Sequence, residues 1–314
     1  MISSHGRLRH NGTSEFHKPI EQFVEYLSVE KGASGNTVAA YKNDLQQLAD
    51  YISEHLSADE CKWGAVTRAT IQDFIIELKS RGYTETSVAR KVAALRSYFV
   101  FLAAEGSISR NPADGLASPR VGKTLPKAIT LNEVDELLEQ PARRGTPEAK
   151  RDRAMLELLY ATGMRVTELV SLDKENVSLG AQPFVRCLGK NAKERSIPIH
   201  EQAVEALNFY LEESRPVLAH PDETALFVNR RGERLTRQGF WLILKGYAKA
   251  AGLGREVTPH TLRHSFATHM LKGGMPLRSV QEMLGHANIS TTQVYTHLNS
   301  DYVRKEYQKA HPRA

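Results

Sequence analysis

Six side chains of this 314-residue chain stand out by type and spacing: Arg165, Lys190, His260, Arg263, His286 and Tyr295. The run Thr258-Pro259-His260-Thr261-Leu262-Arg263 joins a capping threonine, a proline suited to the first helical position, and a His and an Arg three apart. That spacing puts His260 and Arg263 on one helix face. Gly163-Met164-Arg165 opens a helix with Glu168 one turn on, and Leu284-Gly285-His286 precedes a short helix that holds Tyr295. These are residues for chemistry on a phosphate: guanidinium forks match phosphate oxygens, and histidines exchange protons near neutral pH. A metal mechanism would use an acidic pair, and none appears among them. His260 and His264 stand four apart, but no glutamate in H-E-x-x-H order lies between them and no third ligand is evident, so neither a metal nor another cofactor is called for. Each residue taken alone has a plainer reading. Arg165 with Glu168 is also an ordinary helix-surface pair worth about 0.2 to 0.5 kcal/mol. Lys190 is also a solvated turn lysine, His286 a loop residue or helix cap, and Tyr295 a core aromatic.

The elements that must position these residues follow from periodicity. Ile20, Phe23, Val24 and Leu27 recur at helical spacing, as do Val38, Tyr41, Leu45, Leu48 and Ile52. Ile71, Phe74, Ile75 and Leu78 make a third stripe, and Val88, Val92, Leu95, Phe99 and Leu102 a fourth. The polar stretch 1–14 shows no periodicity and reads as a frayed leader. Residues 15–117 therefore form an all-helical domain, and 118–127, with its Pro and Gly breakers, a linker. In the second domain, 128–314, Thr130 with Glu133 makes a capping-box signal for a helix to about Leu138, and another helix runs from about Arg151 to Tyr160. Two short strands, Phe184-Val185-Arg186-Cys187-Leu188 and Arg195-Ser196-Ile197-Pro198-Ile199, flank the polar turn that carries Lys190. Further helices are expected at about 201–213, 237–251, 259–272, 276–284, 291–296 and 301–309. The fold class is mainly α with a small β-sheet, a helical N-terminal domain followed by an α+β domain.

Composition narrows the partners. Lys plus Arg at 42 against Asp plus Glu at 36 gives 42 − 36 = +6, and with a pI near 9.2 a polyanion is a plausible partner. Mean hydropathy is −0.41 and no run of about 18 apolar residues occurs, which excludes a membrane-spanning class. Cys61 and Cys187 form no C-x-x-C, so neither a thiolate zinc site nor a disulfide framework is indicated, and a reducing, cytoplasmic location is expected.

Order and spacing together say more than any single residue. Ala161-Thr162-Gly163-Met164-Arg165-Val166-Thr167-Glu168-Leu169, Gly189-Lys190-Asn191-Ala192-Lys193-Glu194-Arg195, the box His260 to His269 and the box Leu284 to His297 resemble the motifs of the tyrosine recombinases, the phage-integrase family. No position of that family's catalytic set is missing. The stretch Glu21-Gln22-Phe23 to Tyr41-Lys42-Asn43-Asp44-Leu45 is similar to the core-binding (SAM-like, DNA-clamp) domain of Xer recombinases of the XerC and XerD type. The resemblance implies a nucleophile at Tyr295, a general base at His260, a proton for the leaving oxygen from Lys190, charge stabilisation by Arg165 and Arg263, a further hydrogen bond from His286, and orientation by Glu168. It implies double-stranded DNA as substrate, a homo- or hetero-tetramer on two duplexes passing through a Holliday junction, and a C-terminal helix, about 301–311, docked on a neighbouring subunit. A cell-division DNA translocase is a further implied partner, and resolution of chromosome or plasmid dimers at dif-like sites the implied task. Arg90, Lys91 and Arg96 on the fourth helix, and Arg230, Arg231, Arg234 and Arg237, are candidates for phosphate contacts. Three other readings stay open: a phage or mobile-element integrase, a type IB topoisomerase-like enzyme, and a DNA-binding protein that does not cleave.

Overall fold

A computed structural model describes residues 13–57, 60–117, 128–188, 194–253, 257–285 and 300–314. The leader up to residue 12, the linker 118–127, the expected helix at 291–296, and Lys190, His286 and Tyr295 lie outside the described residues. The chain divides into two compact units, Met1–Thr124 and Leu125–Ala314.

The first unit consists of α1 (Thr13–Val29), α2 (Gly35–His55), α3 (Arg68–Ser80) and α4 (Glu85–Ala104). Each of α2, α3 and α4 starts on a hydroxyl cap: Ser34, Thr67 and Thr84 accept from the backbone N–H three residues on. The four apolar stripes turn inward, with Ile20, Phe23, Leu45, Ile52, Ile71, Val92 and Leu95 almost wholly buried. Trp63, between α2 and α3, closes that core edge-on against Phe16 at 4.9 Å and Tyr98 at 4.8 Å.

The second unit is built around α6 (Pro147–Thr162), in which every residue from Ala154 to Thr162 is buried. A helical segment buried on all sides belongs in the middle of a domain. Around it lie α5 (Leu131–Glu139), α7 (Val166–Ser171), α8 (Glu201–Phe209), α9 (Arg215–Leu218), α10 (Arg237–Ala250), α11 (Pro259–Lys272), α12 (Leu277–Leu284) and α13 (Ser300–Ala310). The expected box at α5 is formed: Thr130 Oγ1 accepts from Glu133 N at 3.3 Å and Glu133 Oε2 from Thr130 N at 2.7 Å. The antiparallel sheet has the order β1 (Val177–Ser178), β2 (Phe184–Leu188), β3 (Glu194–Pro198), with Val185 opposite Ile197 and Cys187 opposite Arg195. β1 is two residues long, too short to leave a period-two signal, and sequence reading misses it.

One feature differs from expectation. The helix expected over 201–213 leaves α register at Phe209, continues as a π-helical turn over Tyr210–Ser214, and resumes as α9. Pro216 has no N–H for the carbonyl four residues back, so the ladder shifts before it. The C-terminal helix α13 is anchored on the second unit. Tyr307 is buried and donates to Ala161 O at 3.0 Å, and Arg313 pairs with Glu157 at 3.0 Å and with Asp135. The backbone of Ala310 lies so close to Gly273 that a Cβ there would collide with it. No helix among the described residues is long and apolar enough to cross a membrane.

Candidate active site

The site is assembled where α6, α11, α12 and β3 meet. At the end of α6, Gly163 adopts a left-handed conformation with φ 58°, and a Cβ on it would fall inside the Phe266 ring of α11. Only glycine meets both conditions without strain. The reversal buries Met164 and sets Arg165 at the start of α7, where its backbone N–H donates to Glu168 Oε2 at 2.7 Å. On α11, Thr258 caps the first turn and Pro259 follows, which puts the exposed His260 and the half-buried Arg263 three residues apart as expected.

The arginines converge on the C-terminus of one short helix. α12 ends at Leu284 with Gly285 in the left-handed region at φ 66°. The last carbonyls of a helix have no partner within it and carry its negative pole. Here three consecutive ones each receive a guanidinium: Met283 O from Arg195 Nε at 2.8 Å, Leu284 O from Arg263 Nη2 at 2.7 Å, and Gly285 O from Arg165 Nη2 at 3.2 Å. Arg263 Nη1 also donates to Gly163 O at 2.7 Å, which ties α11 to the end of α6. Glu168 lies beneath, 9% exposed at its side chain, and takes both prongs of Arg195 at 3.0 and 2.8 Å and Arg165 Nη1 at 3.2 Å.

Three guanidinium cations against one carboxylate leave a net charge of 3 − 1 = +2 in this cluster. Burial opposes ionisation of Glu168, but the hydrogen bonds from Arg195 and the Arg165 N–H and the charges of both arginines outweigh it and hold its carboxyl below the usual range. Burial, then the neighbouring charge of Arg165, lowers Arg263 to about 10, with Glu168 acting against them, so the guanidinium stays charged at neutral pH. Cys187, opposite Arg195 in the sheet, is pushed up to about 12 by burial and is an inert thiol. The arrangement is a pocket of fixed positive charge with donors left over, suited to an anion that gains charge during reaction.

Arg195 is the residue that sequence reading passed over. A signal was present: in a strand with period two it shares a face with the buried Ile197, and an arginine on a core-facing register needs a partner.

Among the phosphate candidates, Lys91 requires correction. It is 1% exposed, donates to Asp44 Oδ1 and Gln47 Oε1, both at 2.8 Å, and joins α4 to α2 inside the first unit. Its ammonium cannot reach a phosphate because the chain surrounds it. Arg234 is likewise committed: its fork donates to Val170 O, Leu172 O and Asp173 Oδ1 at 3.1, 3.0 and 2.5 Å. Arg90 is exposed at the edge of the same Asp44 pair, Arg230 is exposed with Glu148 at 3.5 Å, Arg96 is half-buried, and Arg231 and Arg237 are exposed.

Comparison with known proteins places the chain in a family. The sequence profile described as "Phage integrase family" matches residues 127–301, and "Phage integrase, N-terminal SAM-like domain" matches 20–106. The chain is 52% identical over 292 residues to the tyrosine recombinase XerC of Herpetosiphon aurantiacus, covering 93% of this chain and 94% of the relative. It is 45% identical over 297 residues to the tyrosine recombinase XerD of Oceanobacillus iheyensis, covering 94% and 98%. The crystal structure of the XerH site-specific recombinase bound to difH substrate in a pre-cleavage complex matches with a TM-score of 0.66 at 23% identity, over 91% of this chain and 82% of that one, and has the same fold. With half its residues shared along nine-tenths of its length, the chain belongs to the phage integrase family and is a tyrosine site-specific recombinase of the Xer kind.

Proposed function

We propose that this recombinase cleaves and rejoins double-stranded DNA through a 3′-phosphotyrosyl intermediate and a Holliday junction, and that it resolves chromosome or plasmid dimers at dif-like sites. Tyr295 is the nucleophile. Its oxygen bonds to phosphorus as the bond from phosphorus to O5′ breaks, the phenol proton passes to His260, and the leaving O5′ takes a proton from Lys190. The unperturbed tyrosine pKa of about 10 makes a base necessary near neutral pH. Arg165 and Arg263 hold the non-bridging oxygens as charge builds, His286 adds a hydrogen bond, and Glu168 keeps Arg165 oriented. The freed 5′-hydroxyl of the partner duplex then displaces the tyrosine, so one phosphodiester is exchanged for another.

The observation that carries this reading is the anchoring of Arg165 and Arg263 on the adjacent carbonyls Gly285 and Leu284, immediately before position 286. The XerC and XerD relatives, matched over nearly their whole lengths, favour the dimer-resolving task, and the XerH complex with difH is consistent with it. Exchange between two duplexes needs two cleavages on each, which a homo-tetramer or a tetramer with a second recombinase supplies. A cell-division DNA translocase as activator and a cytoplasmic location complete the proposal. Arg90, Arg96, Arg230, Arg231 and Arg237 are the proposed phosphate contacts.

The test is a nicked duplex carrying the cognate site, which traps the covalent complex. The wild-type protein leaves an adduct resistant to detergent, and Tyr295→Phe loses the adduct while still shifting the DNA. A Tyr295→Phe adduct would move the nucleophile elsewhere, with Tyr302, 42% exposed, as the first suspect.

A further inference from the structure

Glu168 sets an electrostatic problem for the site. A carboxylate that accepts from Arg165 through both its backbone N–H and its guanidinium would, left to itself, form a closed pair with that guanidinium. A closed pair is nearly neutral and holds a phosphate weakly. The structure shows another distribution. Both oxygens of Glu168 are engaged in a forked bond by Arg195 at 3.0 and 2.8 Å, and Arg165 reaches one of them at the longer 3.2 Å. Exposure follows the same division. The Arg195 side chain is 14% exposed and faces the interior, whereas that of Arg165 is 40% exposed. Arg195 also donates to Met283 O at 2.8 Å, one residue before the carbonyl that holds Arg263 and two before the carbonyl that holds Arg165. Gly285 leaves room for this, since a Cβ there would stand 3.1 Å from the Arg195 guanidinium.

We infer that Arg195 is a positioning residue of the strand-cleavage reaction: it neutralises Glu168 and fixes the end of α12, so that Arg165 is oriented by the carboxylate yet keeps its charge for the scissile phosphate. This rests on the proposed role of Arg165, and Arg195 touches no substrate. Its fork is what the task requires, because a lysine in its place supplies one point charge and cannot bridge both oxygens and the Met283 carbonyl.

The experiment compares adduct formation on two nicked duplexes, one with the natural phosphate at the scissile position and one with a methylphosphonate. Replacing a non-bridging oxygen by methyl makes the ground state neutral and leaves the pentacoordinate state with one negative charge in place of two, so a missing cation matters far less. Arg195→Met is expected to shift DNA like the wild type and to form the adduct about 10- to 100-fold more slowly on phosphate, the range for residues that act through a neighbour. Most of that loss is expected to disappear on methylphosphonate. Adding Glu168→Gln to Arg195→Met removes the unbalanced carboxylate and is expected to raise the rate on phosphate above that of the single variant, which a merely structural role would not produce. Should Arg195→Met fail to shift DNA, Arg195→Lys carries the same comparison, with an intermediate rate expected. Wild-type rates on phosphate would overturn the inference. So would slow adduct formation on both substrates while Arg165→Ala recovers on methylphosphonate, an outcome that leaves the proposed function intact. If Arg165→Ala does not recover either, the proposed role of Arg165 fails and the inference goes with it.

Discussion

Lys91→Met separates the two readings of the fourth helix. The ammonium it removes donates to Asp44 and Gln47 and stands over the Tyr83 ring, 5.1 Å from its centroid. With Lys91 1% and Asp44 0% exposed, the substitution leaves a buried carboxylate with Arg90 as its remaining cation. Breaking a buried pair by removing one partner costs about 3 to 5 kcal/mol. Methionine fills the volume of the lysine stem, and Arg90 still reaches Asp44 from the solvent edge, so the lower end, about 3 kcal/mol, is expected. At a urea dependence of about 2 kcal/mol per molar, that is a midpoint lowered by about 1.5 M. Trp63 reports on the first unit's core, and a Trp241→Phe background removes the other tryptophan, so fluorescence follows this unit alone. A phosphate-contacting lysine behaves differently: its loss leaves the midpoint in place and reduces the salt dependence of DNA binding by about 0.9 in logarithmic slope. That pair of results would refute the burial argument and restore Lys91 to the DNA surface.

Two further variants probe the second unit. Gly163→Ala places a methyl group in the Phe266 ring at a residue with φ 58°, and it shifts the carbonyl that holds Arg263. Strain of about 1 to 3 kcal/mol is expected in unfolding together with loss of adduct formation at preserved DNA binding; an active Gly163→Ala enzyme would show that this turn does not position Arg263. His200 and His311 are both buried with rings 4.6 Å apart, and burial, then in His200 the neighbouring His311, lowers them to about 2 and about 3. Both folded values lie below the unfolded 6.5, so the stability they confer is present above pH 6.5 and declines as pH falls below it. His200→Asn keeps an acceptor for the Ala203 N–H and removes one of the two titrations, so its loss of stability between about pH 6 and pH 5 is expected to be about 1.2 kcal/mol smaller than the wild type's. Equal losses in urea titrations at the two pH values would mean that the folded protein already carries the proton.

Much of this was legible in the sequence because local rules and tertiary demands agree. Thr130 bonded to Glu133 marks one helix start and Thr258 followed by Pro259 another, and those starts appear where expected. The four stripes of the first unit bury on schedule for the same reason. What was illegible depends on neighbours distant in the chain. Lys91 looks like any basic residue on a basic helix until Asp44, 47 positions earlier, is brought beside it. Arg195 was hidden because its partners, Glu168 and Met283, lie 27 and 88 positions away, although the strand alternation already turned it inward. The π turn at Tyr210 follows from Pro216, six residues on, which is a local rule that a helical period overlooks.

The choice of acceptors explains how such a cluster can be rigid and still attract an anion. An arginine held by a carboxylate is well oriented but its charge is cancelled; one held by a carbonyl is oriented by a dipole and keeps its charge. Arg263 is fixed by two carbonyls, Gly163 and Leu284, at 2.7 Å each, and Arg165 by one carbonyl and a carboxylate whose oxygens are already engaged by Arg195. The end of α12 therefore serves as a neutral clamp, and the left-handed Gly285 that ends the helix is what leaves its last carbonyls open to three guanidinium groups. Charge fixed in this way needs no reorganisation when the phosphorus becomes pentacoordinate. A carboxylate in place of any of these carbonyls would hold the arginines as firmly and weaken their hold on the transition state.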